Sequence, residues 1–159
     1  QSRQVDLNPR YFTAAGTGFS TPEFPTTDKG AGKDAEYTFS VTQWMPESKW
    51  PGSAEFAKKF EAKYGSTPAY HAVQAYVALK VMAEAVKRAG KWDPVAIRDA
   101  LKATDMPDTT FGPVKFDARG QNLHPVLVTQ IQKGKYVIVH PKSEATGDPI
   151  VPTPKWSER

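Results

Sequence analysis

Apolar and polar positions change rhythm along this chain, and the changes mark its elements. The stretch RYFTAAG (10–16) is an apolar run closed by glycine and predicts a buried strand. EYTFSVTQW (36–44) alternates, with Tyr37, Phe39 and Val41 on one side, and predicts a second strand. Between them Thr21-Pro22 reads as an N-cap followed by a first-turn proline, which predicts a short helix or turn before the loop DKGAGKD. MPESKWPGS (45–53), with two prolines and a glycine, reads as a connector. A helical period then takes over in SAEFAKKFEAKYG, TPAYHAVQAYVALKVMAEAVKRAG and DPVAIRDALKAT. Thr67-Pro68 and Asp93-Pro94 carry the same N-cap signal, while Gly65 and Gly90 stand where C-caps belong. Past Thr104 the period shortens again, and TFGPVKFD, PVLVTQIQ and KYVIVHP predict strands joined by the turns DARGQN and KGK. The proline-rich tail KSEATGDPIVPTPKWSER is expected to run over the surface without regular structure.

The long middle helix carries more than one message. At 100° per residue, Lys80, Glu84, Lys87 and Arg88 gather on one face, read as the solvated one. Ala72, Leu79, Ala83 and Val86 are then expected on the buried side. His71 falls nearly opposite the charged stripe, and Gln74 lies off it by about a third of a turn. Both sit in the first two turns, where the helix end favours an anion such as a carboxylate. Two readings stay open: a core histidine satisfied by a backbone carbonyl, or a pair of donors beside a guest.

The totals exclude several classes. The chain has 159 residues, 39% of them hydrophobic, enough for one core or part of a larger one. The net charge of +4 does not point to nucleic acid, because basic residues alternate with acids as on solvated helix faces. Cysteine is absent, which removes disulfides, thiolate metal sites and a cysteine nucleophile. His71, His124 and His140 have no ligand spacing, so no metal is expected. No apolar run reaches the length of a membrane span, and no signal peptide is visible. Gln1 opens the chain in place of methionine, so it is expected to start after a removed segment or inside a longer gene product.

The glycine-rich loop AAGTGFSTPEF (14–24) is the first candidate site. GTGFST lacks the third glycine of the dinucleotide fingerprint, a Walker lysine and a nucleophile-elbow pattern, so cofactor and hydrolase readings fail on residues. What remains is a glycine-rich loop at a predicted strand end, where open α/β sheets bind ligands, or a plain turn. Asp117 and Asp148 sit beside turn residues and are expected only to shape backbone. No carboxylate pair stands out for acid–base work. Trp50 is expected at the entrance of the next helix, while Trp44, at a strand end, faces either core or crevice.

PAYHAVQAYVALKVMAEAVKRAG, VAIRDALKATD and FGPVKFDARGQN together resemble the closing portion of type I periplasmic solute-binding proteins, most of all the branched-chain amino acid class of ABC importers. TAAGTGFSTPEF and EYTFSVTQW fit the same family just upstream and in the same order. The resemblance implies the C-terminal portion of a two-lobed α/β fold, the periplasmic binding protein-like I fold. Residues 1–44 would be part of the second lobe, 45–116 the crossover and first-lobe helices, and 117–159 the return strands through the hinge with the tail. It implies Thr17, Gly18 and Phe19 as solute contacts from the second lobe, and Tyr70, His71 and Gln74 from the first, with Trp44 nearby. The family's acid for a ligand ammonium falls on Thr17, which brings an aromatic or other small carboxylate into range beside an amino acid. The implied function is non-enzymatic: a periplasmic receptor, without cofactor or nucleic acid, that delivers a small solute to the membrane permease of an ABC importer. Its other implied partner is the N-terminal portion of the same receptor. A ligand-sensing domain of the same fold is the first alternative, and a small α/β enzyme the second.

Overall fold

The structure, a computed structural model, describes residues 1–159 apart from the side chain of Thr17. The chain forms two compact units, Gln1–Thr42 with Val126–Arg159, and Gln43–Pro125.

The first unit is built on a three-stranded sheet, β1 (Phe39–Thr42), β4 (Leu127–Gln132) and β5 (Lys135–His140), in the order β1-β4-β5. Both pairings are antiparallel, with Val41 opposite Val128 and Ile131 opposite Tyr136. The predicted KGK turn closes the β4–β5 hairpin with positive φ at Lys133 (54°) and Gly134 (71°), the two-residue geometry that suits the twist of paired strands. The Glu36 carboxylate fixes that turn, accepting from the N–H groups of Lys133 (2.9 Å) and Gly134. Phe39, Leu127, Ile131 and Ile138 form the apolar interior here.

Two expectations for this unit are corrected. The apolar run at 10–16 forms only one parallel bridge, Thr13 to Phe39, because β1 offers it a single flank over a short stretch. The tail does more than cross the surface. Gln130, fully buried, donates to the Ile150 carbonyl (2.9 Å) and accepts from its N–H (2.8 Å). Thr153 N–H and hydroxyl both donate to the Arg10 carbonyl at 3.0 Å, and Trp156 Nε1 donates to the Leu7 carbonyl at 3.1 Å. A 3-10 turn, Trp156–Glu158, ends the chain, with the Arg159 guanidinium 3.6 Å from the Trp156 ring centre. Buried backbone groups need partners, and the tail supplies them.

The second unit holds α1 (Ser53–Tyr64), α2 (Tyr70–Ala89), α3 (Pro94–Lys102) and a two-stranded ribbon of β2 (Asp105–Met106) and β3 (Val114–Lys115). TFGPVKFD therefore contributes a strand of two residues only. Gly65 and Gly90 close α1 and α2 in the left-handed conformation, as read from sequence. Asp93 caps α3, its carboxylate accepting from Ala96 N–H at 2.8 Å. Thr67 does not cap α2. The helix begins after Ala69, and the Thr67 hydroxyl donates to Glu61 at 2.7 Å instead.

The buried face of α2 differs from the one expected. Val73, Val77 and Val81, a stripe at four-residue spacing, enter the core with Trp44, Ala57, Phe111 and Val114, and Ala85, the next position of the stripe, is buried too. Burial of a valine stabilises by about 1.5–3 kcal/mol. The helix-propensity loss of a β-branched residue is below about 0.7 kcal/mol, so packing decides. The apolar arc of Ala72, Leu79, Ala83 and Val86 lies about half a turn away, with Leu79 73% exposed. Lys80, Glu84, Lys87 and Arg88 are all exposed, as expected, although they flank the buried stripe. Arg88 reaches α3, donating to the Ala100 carbonyl (2.9 Å) and Thr104 hydroxyl (3.0 Å).

Leu79 together with Met82, 45% exposed, leaves an uncovered apolar stripe on α2. The chain on its own is expected to self-associate through this stripe, which light scattering would register. Replacing Leu79 and Met82 together by glutamate should lower the apparent mass toward the monomer without lowering the melting temperature. Unchanged scattering from that double variant would remove the stripe as the cause.

Candidate functional site

The candidate residues fall into one group in each unit. In the first unit, Gly16 follows the bridge residue Thr13 and carries φ 131°, ψ 159°, a region open essentially to glycine alone. A 3-10 turn, Thr17–Ser20, comes next, and Thr21-Pro22 enters a further turn, the second of the two outcomes expected there. Phe19 is 39% exposed and meets Phe24 edge-on, ring centres 5.0 Å apart. A Cβ at Gly18 would meet nothing within 4 Å, and its φ is not in the left-handed region. Of the two glycines, then, Gly16 makes the turn, and Gly18 leaves room. The side chain of Thr17 lies outside the described residues.

Sequence reasoning missed a residue that contacts this loop. The Tyr136 hydroxyl, on β5, lies 2.9 Å from the Phe19 carbonyl and 2.9 Å from the Thr21 carbonyl. Burial, and then the nearby charge of Glu23, push the phenol's pKa above its ordinary value. Nothing in KYVIVHP distinguishes this tyrosine from an ordinary strand aromatic, since its partner is over a hundred positions away.

In the second unit, Tyr70, His71 and Gln74 open α2, which no side chain caps. His71 is exposed and stacks on Tyr70, ring centres 3.9 Å apart, so it is not the core histidine allowed by the sequence. Gln74 is exposed too, its amide donating to Gln43 Oε1 at 3.3 Å. Gln43, unremarked in the sequence, thus joins this group.

Trp44 leaves the candidates. It is 0% exposed in the core, its indole N–H donating to Ser53 Oγ at 3.1 Å, and offers a solute no surface. Trp50 packs against that core, as expected, with its ring edge-on to His124 at 5.1 Å. Asp117 shapes backbone, accepting from the N–H groups of Arg119 (2.8 Å) and Gln121 (2.9 Å). Among the described residues no group of three or more His, Asp or Glu could hold a metal ion, and no helix is long and apolar enough to cross a membrane.

Residues 1–135 match the periplasmic binding protein family. The chain belongs to that family. A Leu/Ile/Val-binding protein homolog 7 of Brucella suis is 33% identical over 161 residues, covering 96% of this chain and 40% of that protein. The crystal structure of a leucine binding protein, LivK, from Thermotoga maritima superposes with a TM-score of 0.71 at 26% identity, over 87% of this chain and 38% of that one. A solute binding protein of an R. palustris ABC transporter, solved in complex with benzoate, gives a TM-score of 0.61 at 22% identity, over 77% of this chain and 34% of that one, a likeness of fold alone. The chain spans about 40% of the length of the curated relatives it matches. Its fold is a portion of the type I periplasmic binding protein fold, as the resemblance of its motifs implied.

In this periplasmic binding protein the two loop glycines should separate by mutation. Gly16→Ala forces an L side chain into its disfavoured backbone region and should cost about 1–3 kcal/mol of stability. Gly18→Ala, with open space around it, should stay within about 0.5 kcal/mol. Thermal or urea unfolding of both variants checks this, and equal losses would contradict the assigned roles.

Proposed function

We propose that this chain is the closing portion of the extracytoplasmic solute-binding component of an ABC importer, and that the receptor binds a small amino acid-like or aromatic carboxylate. Family membership supports the class, since the family model and the matching relatives are named as binding proteins. The observation that carries the site is the loop at 16–21. Its backbone is open at Gly18 and its carbonyls at Phe19 and Thr21 are turned to Tyr136. Backbone left uncovered on one side and anchored on the other suits close approach by a small guest.

In this reading Gln1–Thr42 and Val126–Arg159 belong to the second lobe of the receptor, and Gln43–Pro125 to the first. Gly18, Phe19 and Thr17 serve the guest from one lobe. Tyr70, His71 and Gln74 serve it from the other, with Gln43 orienting Gln74. The start of α2 adds the positive end of a 20-residue helix, which favours the carboxylate. Closure of the lobes holds the solute because some contacts exist only in the closed state. The remainder of the receptor and the membrane permease are the partners, and the periplasm is the compartment.

Calorimetry on the full-length receptor, with leucine, isoleucine, valine and benzoate as titrants, tests the reading. Gly18→Val should remove most of the affinity at a nearly unchanged melting temperature. His71→Ala and Gln74→Ala should each weaken binding by about 1–3 kcal/mol. The 159-residue chain alone should bind none of these more tightly than roughly millimolar, because affinity needs both walls of a pocket. A micromolar ligand for the isolated chain, or full affinity in Gly18→Val, would contradict the proposal.

A further inference from the structure

Two bonds within the loop at 16–21 are long ones. Phe19 N–H donates to the Gly16 carbonyl at 3.3 Å, and the Thr21 hydroxyl donates to the Gly18 carbonyl at 3.2 Å, both toward the long end for hydrogen bonds. The two contacts to Tyr136 are each 2.9 Å. A phenol carries a single proton, so the two carbonyls share it in a three-centre bond or take it in turn. Either way both are drawn to one point. Tyr136 is itself well placed to fix that point. It pairs with Ile131 of the buried strand β4, and it follows the turn that Glu36 clamps through the N–H groups of Lys133 and Gly134. Half-buried, it keeps its proton through the neutral and moderately alkaline range, because its pKa is raised by burial.

We propose that Tyr136 is the positioning residue of the solute loop: its hydroxyl gathers the carbonyls of Phe19 and Thr21 and so pre-forms the curve that presents Gly18 and Phe19 to the guest. The inference rests on the reading of 16–21 as part of the solute site. Without the hydroxyl the Phe19 carbonyl turns to water and the Thr21 carbonyl keeps only its bond from Phe24 N–H at 3.1 Å, the loop samples other conformations, and only a fraction of receptors is competent at any moment. Apparent affinity falls by that fraction. Since the bound complex is unchanged, the loss enters the association rate and not the dissociation rate.

Tyr136→Phe in the full-length receptor keeps the ring and removes the hydroxyl. With leucine and benzoate as probes, affinity should drop about tenfold, the net value of roughly one hydrogen bond. The association rate should fall by the same factor, with dissociation and melting temperature little changed. Hydrogen exchange of the unliganded variant should quicken at Gly18–Thr21 and stay as in the parent along β4 and β5. Unchanged exchange at Gly18–Thr21 overturns the inference whatever the probes do. So does faster dissociation at an unchanged association rate, which would make Tyr136 a direct contact. A lower melting temperature with affinity kept would leave it a merely structural residue. Gly18→Val separates the two readings. Full affinity there sinks the site and this inference with it, whereas lost affinity there beside parental binding in Tyr136→Phe sinks the inference alone.

Discussion

Backbone pairing through β4 is the constraint on which the first unit depends. β4 lies between β1 and β5, so its N–H and C=O groups are satisfied on both flanks and its side chains can be fully buried. Leu127, Thr129, Gln130 and Ile131 are all 0% exposed. Gln130 then extends the pairing beyond the strands, since a buried amide without partners would cost several times what a satisfied one contributes. Its bonds to Ile150 bring in the tail, and the tail in turn holds Arg10 and Leu7. The segment leading to the loop at 16–21 is therefore located by residues near the far end of the chain.

The second unit depends on the valine stripe of α2. Three valines and an alanine at four-residue spacing give one narrow ridge, which α1, α3 and the β2–β3 ribbon surround. The same helix carries a second apolar arc with Leu79 and Met82 exposed. A helix apolar on two sides belongs inside a larger body. That agrees with a chain spanning about 40% of the length of its relatives.

The two glycines of the loop show how alike residues acquire unlike duties. Gly16 is required by its backbone angles, whereas Gly18 has ordinary angles and open surroundings. Tryptophans divide in a similar way. Trp44 spends its indole N–H inside the core, while Trp156 spends its own on the Leu7 carbonyl, beneath Arg159. Residue type alone separates neither pair.

Local chemistry determined what the sequence could show by itself. The helices α1, α2 and α3, the caps at Gly65, Gly90 and Asp93, and the β4–β5 hairpin all follow from nearest-neighbour preferences. The family motifs were legible too, because they are runs of contiguous residues. Tertiary structure decided the rest, wherever the outcome depends on which distant surface arrives. It chose the valine ridge of α2 over the wider apolar arc, reduced RYFTAAG to one bridge, and buried Trp44. It also joined Tyr136 to a loop 115 positions earlier in the chain. A side chain's partner across such a distance is set by packing, and periodicity carries no trace of it.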